Sequence, residues 1–87
     1  MSKIIEKYDF TVEDKHGNDV RVFARIEKEK SLYYWYVSHL TKPQDADGIG
    51  LYYASNTEST FENAKAFLYS YIAMMKRSKV VVPNEHY

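Results

Sequence analysis

Eighty-seven residues without a cysteine make one small domain and leave neither a disulfide framework nor a thiolate metal site available. Twelve basic and twelve acidic side chains cancel, whereas a dedicated nucleic-acid binder usually carries a net positive balance. No stretch has the apolar length of a membrane span and the amino terminus lacks the apolar segment of a signal peptide, so a soluble, cytoplasmic protein is expected.

The segment 4–13 alternates from Glu6 onward. Tyr8, Phe10 and Val12 fall on one face, and Lys7, Asp9, Thr11 and Glu13 on the other, the period of a strand with one wet side. Residues 14–19 are rich in turn formers, with Gly17-Asn18 to supply positive φ. Over 20–28 the alternation resumes, placing Val22, Ala24 and Ile26 inward and Arg21, Arg25 and Glu27 outward, with Phe23 as an apolar residue on the outward side. These two strands predict a β-hairpin. After a second tight turn ending at Ser31, residues 32–40 read Leu-Tyr-Tyr-Trp-Tyr-Val-Ser-His-Leu, an aromatic run that predicts a central strand. Tyr33, Trp35, Val37 and His39 share one of its faces, and Leu32, Tyr34, Tyr36, Ser38 and Leu40 the other. Both are apolar enough to line a core, and the pattern leaves the choice open.

Residues 41–48 contain a Pro, a Gly and two Asp and read as an exposed loop. Residues 49–55, with Tyr52 and Tyr53, predict a fourth strand. A helix follows over 60–77, started by Ser59-Thr60-Phe61-Glu62, which has the spacing of a capping box with Ser59 as the cap. Phe61, Ala64, Leu68, Tyr71, Ile72 and Met75 make one apolar stripe, widened by Phe67 and Met74, and Lys76, Arg77 and Lys79 suit the carboxyl end of the helix dipole. Val80 to Pro83 suits a short edge strand, within a tail 80–87 that is otherwise expected to be flexible. The fold class is therefore α+β: an antiparallel meander of three to four strands with one C-terminal helix across a single face. Strands followed by a helix with a Thr-containing start resemble, in element order, the three-stranded DNA-binding domains at the front of some phage-type integrases. The resemblance implies DNA binding but includes no shared motif, and no residue is carried across.

No constellation for chemistry emerges. His16, His39 and His86 share neither the spacing nor the face that a metal site needs. Ser38 and His39 are neighbours, and strand neighbours point to opposite faces, which separates them as nucleophile and base. Asp45-Ala46-Asp47-Gly48 imitates the start of a calcium loop, but Ala54 stands where its bidentate glutamate belongs. Phosphate-binding glycine loops are missing as well. The expectation is a non-enzymatic chain without cofactor or metal.

Two surfaces remain. Nine tyrosines exceed what so small a core holds, and one helix covers one side of a sheet, so aromatic side chains are expected on the uncovered side. Phe23, Tyr34, Trp35, Tyr36 and Tyr52 are the candidates, with whichever of Trp35 or Tyr34 and Tyr36 faces outward completing the surface around Phe23. They favour binding to another protein, or to a second copy in a homodimer, in an inhibitor, adaptor or accessory role of the kind that phages and mobile elements encode. The alternative is a nucleic-acid module that uses Lys7, Arg21 and Arg25 beside Phe23, helped by Lys76 and Arg77. Against it stands a solvated salt-bridge lattice among Lys7, Asp9, Arg21, Arg25 and Glu27.

Overall fold

The computed structural model describes residues 3–42, 56–84 and 87. Strands β1 (Lys3–Glu13) and β2 (Asp19–Glu29) form the antiparallel hairpin that the alternation predicts. Asp14 closes the turn, its Oδ1 accepting the amides of His16 and Asn18, both at 2.9 Å. Gly17 takes a φ of 80°, the left-handed conformation that the absence of a Cβ makes accessible there. A two-residue turn, with Lys30 at a φ of 58°, leads into β3 (Leu32–Val37), which pairs antiparallel with β2. On its other side β3 pairs antiparallel with the two-residue strand β5 (Thr57–Glu58).

The aromatic strand ends sooner than its composition predicts. At Ser38 the chain bends: the Ser38 N–H donates to the Phe23 carbonyl, and the Ser38 Oγ accepts the Phe23 N–H, both at 2.7 Å. A hydroxyl thus takes a place in the ladder that a backbone carbonyl would otherwise hold. Beyond the bend, β4 (His39–Leu40) pairs with β6 (Val82–Pro83) from the tail, in a separate two-stranded sheet. The main sheet has the order β1-β2-β3-β5. The strand predicted over 49–55, and with it Tyr52, lies outside the described residues.

Helix α1 (Phe61–Ser78) crosses one face of this sheet, as an α+β fold requires. Its cap is Thr60 and not Ser59: the Thr60 Oγ1 accepts the Asn63 amide at 3.1 Å, one residue later than the box spacing predicts. At the other end Lys79 takes the left-handed conformation, and its N–H returns to the Met75 carbonyl at 2.8 Å, the geometry that stops a helix. Among the described residues no helix is long and apolar enough to cross a membrane.

Between helix and sheet lie Val12, Val22, Ala24, Ile26, Trp35 and Val37 from the strands and Ala64, Leu68, Tyr71, Ile72 and Met75 from the helix. Phe67, expected to widen the helical stripe, remains half exposed, whereas Met74 packs against the core. Trp35 is 1% exposed and meets the Tyr71 ring at 5.6 Å between centroids. The Tyr71 hydroxyl accepts the amide of Thr41 at 3.0 Å, and the Thr41 Oγ1 lies 2.8 Å from the Ser78 Oγ. Thr41, placed by its sequence at the start of an exposed loop, is therefore buried, because these bonds satisfy its polar atoms.

Thr60→Ala should lower the unfolding free energy by about 1 kcal/mol in urea titrations, whereas Ser59→Ala should change it by less than about 0.5 kcal/mol. The reverse order would restore Ser59 as the cap.

Candidate interaction surface

Burial of Trp35 and Val37 decides the question the aromatic strand leaves open. Side chains alternate along a strand, so Tyr34 and Tyr36 stand on the face that the helix does not cover. Trp35 is accordingly withdrawn from the candidate surface: it sits under the helix, where its area is worth more buried than exposed. The cross-strand register places Phe23 opposite Asp9, Arg21 opposite Thr11, and Arg25 between Lys7 and Tyr36, all on the uncovered side. Phe23 is 43% exposed. Glu27 lies opposite Tyr34, and a register shift brings Ile4 opposite Glu27, extending the apolar area.

The charges on this face are paired. Arg21 bonds the Asp9 carboxylate and Arg25 bonds Glu27, two members of the predicted lattice. The Arg21–Asp9 pair is solvated, so water and salt screen it. Arg25 and Glu27 are the less exposed pair. Both guanidinium groups also rest on rings, Arg21 at 5.5 Å from the Phe23 centroid and Arg25 at 4.6 Å from that of Tyr36. Burial, and then the nearby Glu27 carboxylate, raise the Tyr36 pKa, so its hydroxyl stays protonated. The basic residues of the nucleic-acid alternative are divided between two layers. Lys76 and Arg77 occupy the last turn of α1, and the Lys76 ammonium lies 5.9 Å from the Phe10 ring, on the helix side of the sheet. They do not join Lys7, Arg21 and Arg25.

The bend at Ser38 also overturns the expected separation of Ser38 from His39, because the chain there is no longer a regular strand. The Ser38 Oγ lies 2.8 Å from His39 Nδ1. Oγ, which already accepts the Phe23 amide, shares this bond with the neutral imidazole, the donor being set by the His39 tautomer. Burial lowers the His39 pKa from 6.5 and favours that form. The arrangement braces the bend. A nucleophile would also need donors for an oxyanion, and the Ser38 and Asn84 amides beside it are spent on the carbonyls of Phe23 and Ser38. Among the described residues no three His, Asp or Glu side chains converge as a metal site would require.

No protein-family model matches the chain, and no curated protein or solved structure matches it either.

The lowered His39 pKa has a definite sign. The unfolded chain takes up a proton near pH 6.5 more readily than the fold does, so the contribution is complete above that pH and is lost as pH falls through the lowered folded value. The urea midpoint should therefore fall between about pH 7 and about pH 5, and His39→Asn should flatten that decline. An equally steep decline in the variant would place its origin elsewhere.

Proposed function

We propose that this chain is a non-enzymatic interaction module that docks another protein, or a second copy of itself, through the uncovered face of its sheet. The carrying observation is the position of Phe23, half exposed on β2, an inner strand of the sheet. Arg21 and Arg25 stand on either side of it along the strand, and Tyr36 and Tyr34 lie farther along the same uncovered face, opposite Arg25 and Glu27. Aromatic and arginine side chains of this kind dominate protein interfaces, because rigid rings bury much area at little entropic loss and the guanidinium donates in several directions. Nine tyrosines and a zero net charge in the whole chain fit such a surface better than they fit a phosphate-binding one. The pairing of Arg21 with Asp9 and of Arg25 with Glu27 weighs in the same direction, since phosphates would have to compete with carboxylates already in place.

Phe23→Ala should leave the thermal unfolding midpoint within a few degrees of the parent chain, because the residue lies outside the core. It should weaken association about thirtyfold or more, the loss expected for an aromatic at the centre of an interface. Sedimentation across a range of concentrations reads the self-associating case. Affinity capture with nuclease, comparing the parent with Phe23→Ala, reads the other. Binding that survives Phe23→Ala but collapses with Arg21→Glu and Arg25→Glu, and that falls steeply with salt, would transfer the function to nucleic acid.

A further inference from the structure

The tail returns to the uncovered face. Asn84 anchors it at the bend, its N–H donating to the Ser38 carbonyl at 2.9 Å and its Nδ2 donating to the Val37 carbonyl at 3.0 Å. The Tyr87 N–H in turn donates to the Asn84 carbonyl at 3.2 Å. The Tyr87 ring then lies with its centroid 4.5 Å from the Arg25 Cζ, and the Tyr87 carbonyl accepts an Arg25 N–H at 3.3 Å. One guanidinium thus meets two tyrosine rings, at 4.6 Å for Tyr36 and 4.5 Å for Tyr87.

The two rings are held differently. Tyr36 is fixed by the β2–β3 ladder directly opposite Arg25 and is half-buried. Tyr87 is 39% exposed and reaches Arg25 from a segment that is anchored at Asn84. The receiving site is otherwise complete without it. Arg25 is oriented by Glu27, which also balances its charge, so the site suits a neutral ring better than an anion.

We propose that Tyr87 occupies, from within the chain, a receptor for an aromatic side chain built by Arg25, Tyr36 and Glu27. Its other guest is a tyrosine, phenylalanine or tryptophan presented by a protein partner, which enters as Tyr87 leaves. The proposal rests on the reading of the open face as a docking surface and specifies what that surface receives. The tail makes docking conditional: the partner's ring competes with one already in place, and the apparent affinity is the intrinsic one multiplied by the fraction of molecules in which the site is open.

N-acetyltyrosinamide is a sufficient probe, followed by nuclear magnetic resonance at the Tyr36 ring, which every variant keeps. Tyr87→Ala should bind it about tenfold more tightly than the parent chain, and Tyr87→Phe, which keeps the ring, should behave as the parent does. In the Tyr87→Ala background, Arg25→Lys keeps the charge but removes the planar surface, and the gain should disappear. N-acetylleucinamide should show no gain. Circular dichroism establishes that each variant is folded. Equal binding of the tyrosine probe to parent and Tyr87→Ala would overturn the proposal, as would a gain that survives Arg25→Lys or one that the leucine probe shares. A concentration-dependent dimer of the parent chain that Tyr87→Ala abolishes would give the site to a neighbouring copy's tail and overturn a separate partner. Because the probe reports on this site alone, these outcomes are independent of whether Phe23→Ala alters association of the whole face.

Discussion

Trp35 fills the space between sheet and helix, and the arrangement of the rest of the chain follows from that one ring. A strand has a period of two, so placing Trp35 inward also places Val37 inward and sends Tyr34 and Tyr36 outward. Through the ladder it sets β2 as well: Ile26 lies opposite Trp35 and Ala24 opposite Val37, which leaves Phe23 and Arg25 on the outer side. The helix is matched to the same point. Tyr71 meets the indole, and its hydroxyl reaches past the ring to the Thr41 amide, tying the end of the aromatic segment to the middle of α1. A slip of one residue in β3 would expose Trp35 and bury two tyrosines whose hydroxyls would need new partners.

The sheet has two chemically distinct sides. On the helix side, aliphatic groups and rings exclude water. On the other, each arginine is matched with a carboxylate and set on a ring, so that cations, anions and apolar area are interleaved. Such a face is neutral over short distances, and its attraction for a partner would come mainly from rings and directional hydrogen bonds, with little long-range steering.

How much of this could be read from the residues depends on how one-sided each pattern is. The hairpin is plain in the alternation of 6–13 and 20–28, because each strand has a wet face and a dry one. The aromatic strand has apolar residues on both faces, so its orientation could be settled only by what the helix covers. The Ser38 bend escaped because alternation assumes an unbroken strand, and a hydroxyl that replaces a ladder carbonyl leaves no mark in hydropathy. Ser59 and Thr60 are both good caps, and the choice between them turns on backbone angles, with Thr60 extended at φ −133° and ψ 153°. Of the candidate surface, Phe23 was visible as the apolar residue on a charged face. The seat of Tyr87 on Arg25 joins residues 62 positions apart, and neither residue announces the other.

One irregularity in β1 bears on the molecule's behaviour in concentrated solution. Ile4 pairs with Glu27 and Glu6 with Ile26, so Ile5 is an extra residue on the strand at the rim of the sheet. An eleven-residue rim with an unbroken row of amides and carbonyls would be a template on which further chains could add strand by strand. The bulge interrupts that row and increases the local twist, and Lys7, Asp9 and Glu13 place charges along the remainder. Fibril growth needs flat, repeating edges, and this rim is bent at one end and charged along the rest. Exposed rings can therefore be carried on the broad side of the sheet without making its border an invitation to polymerise.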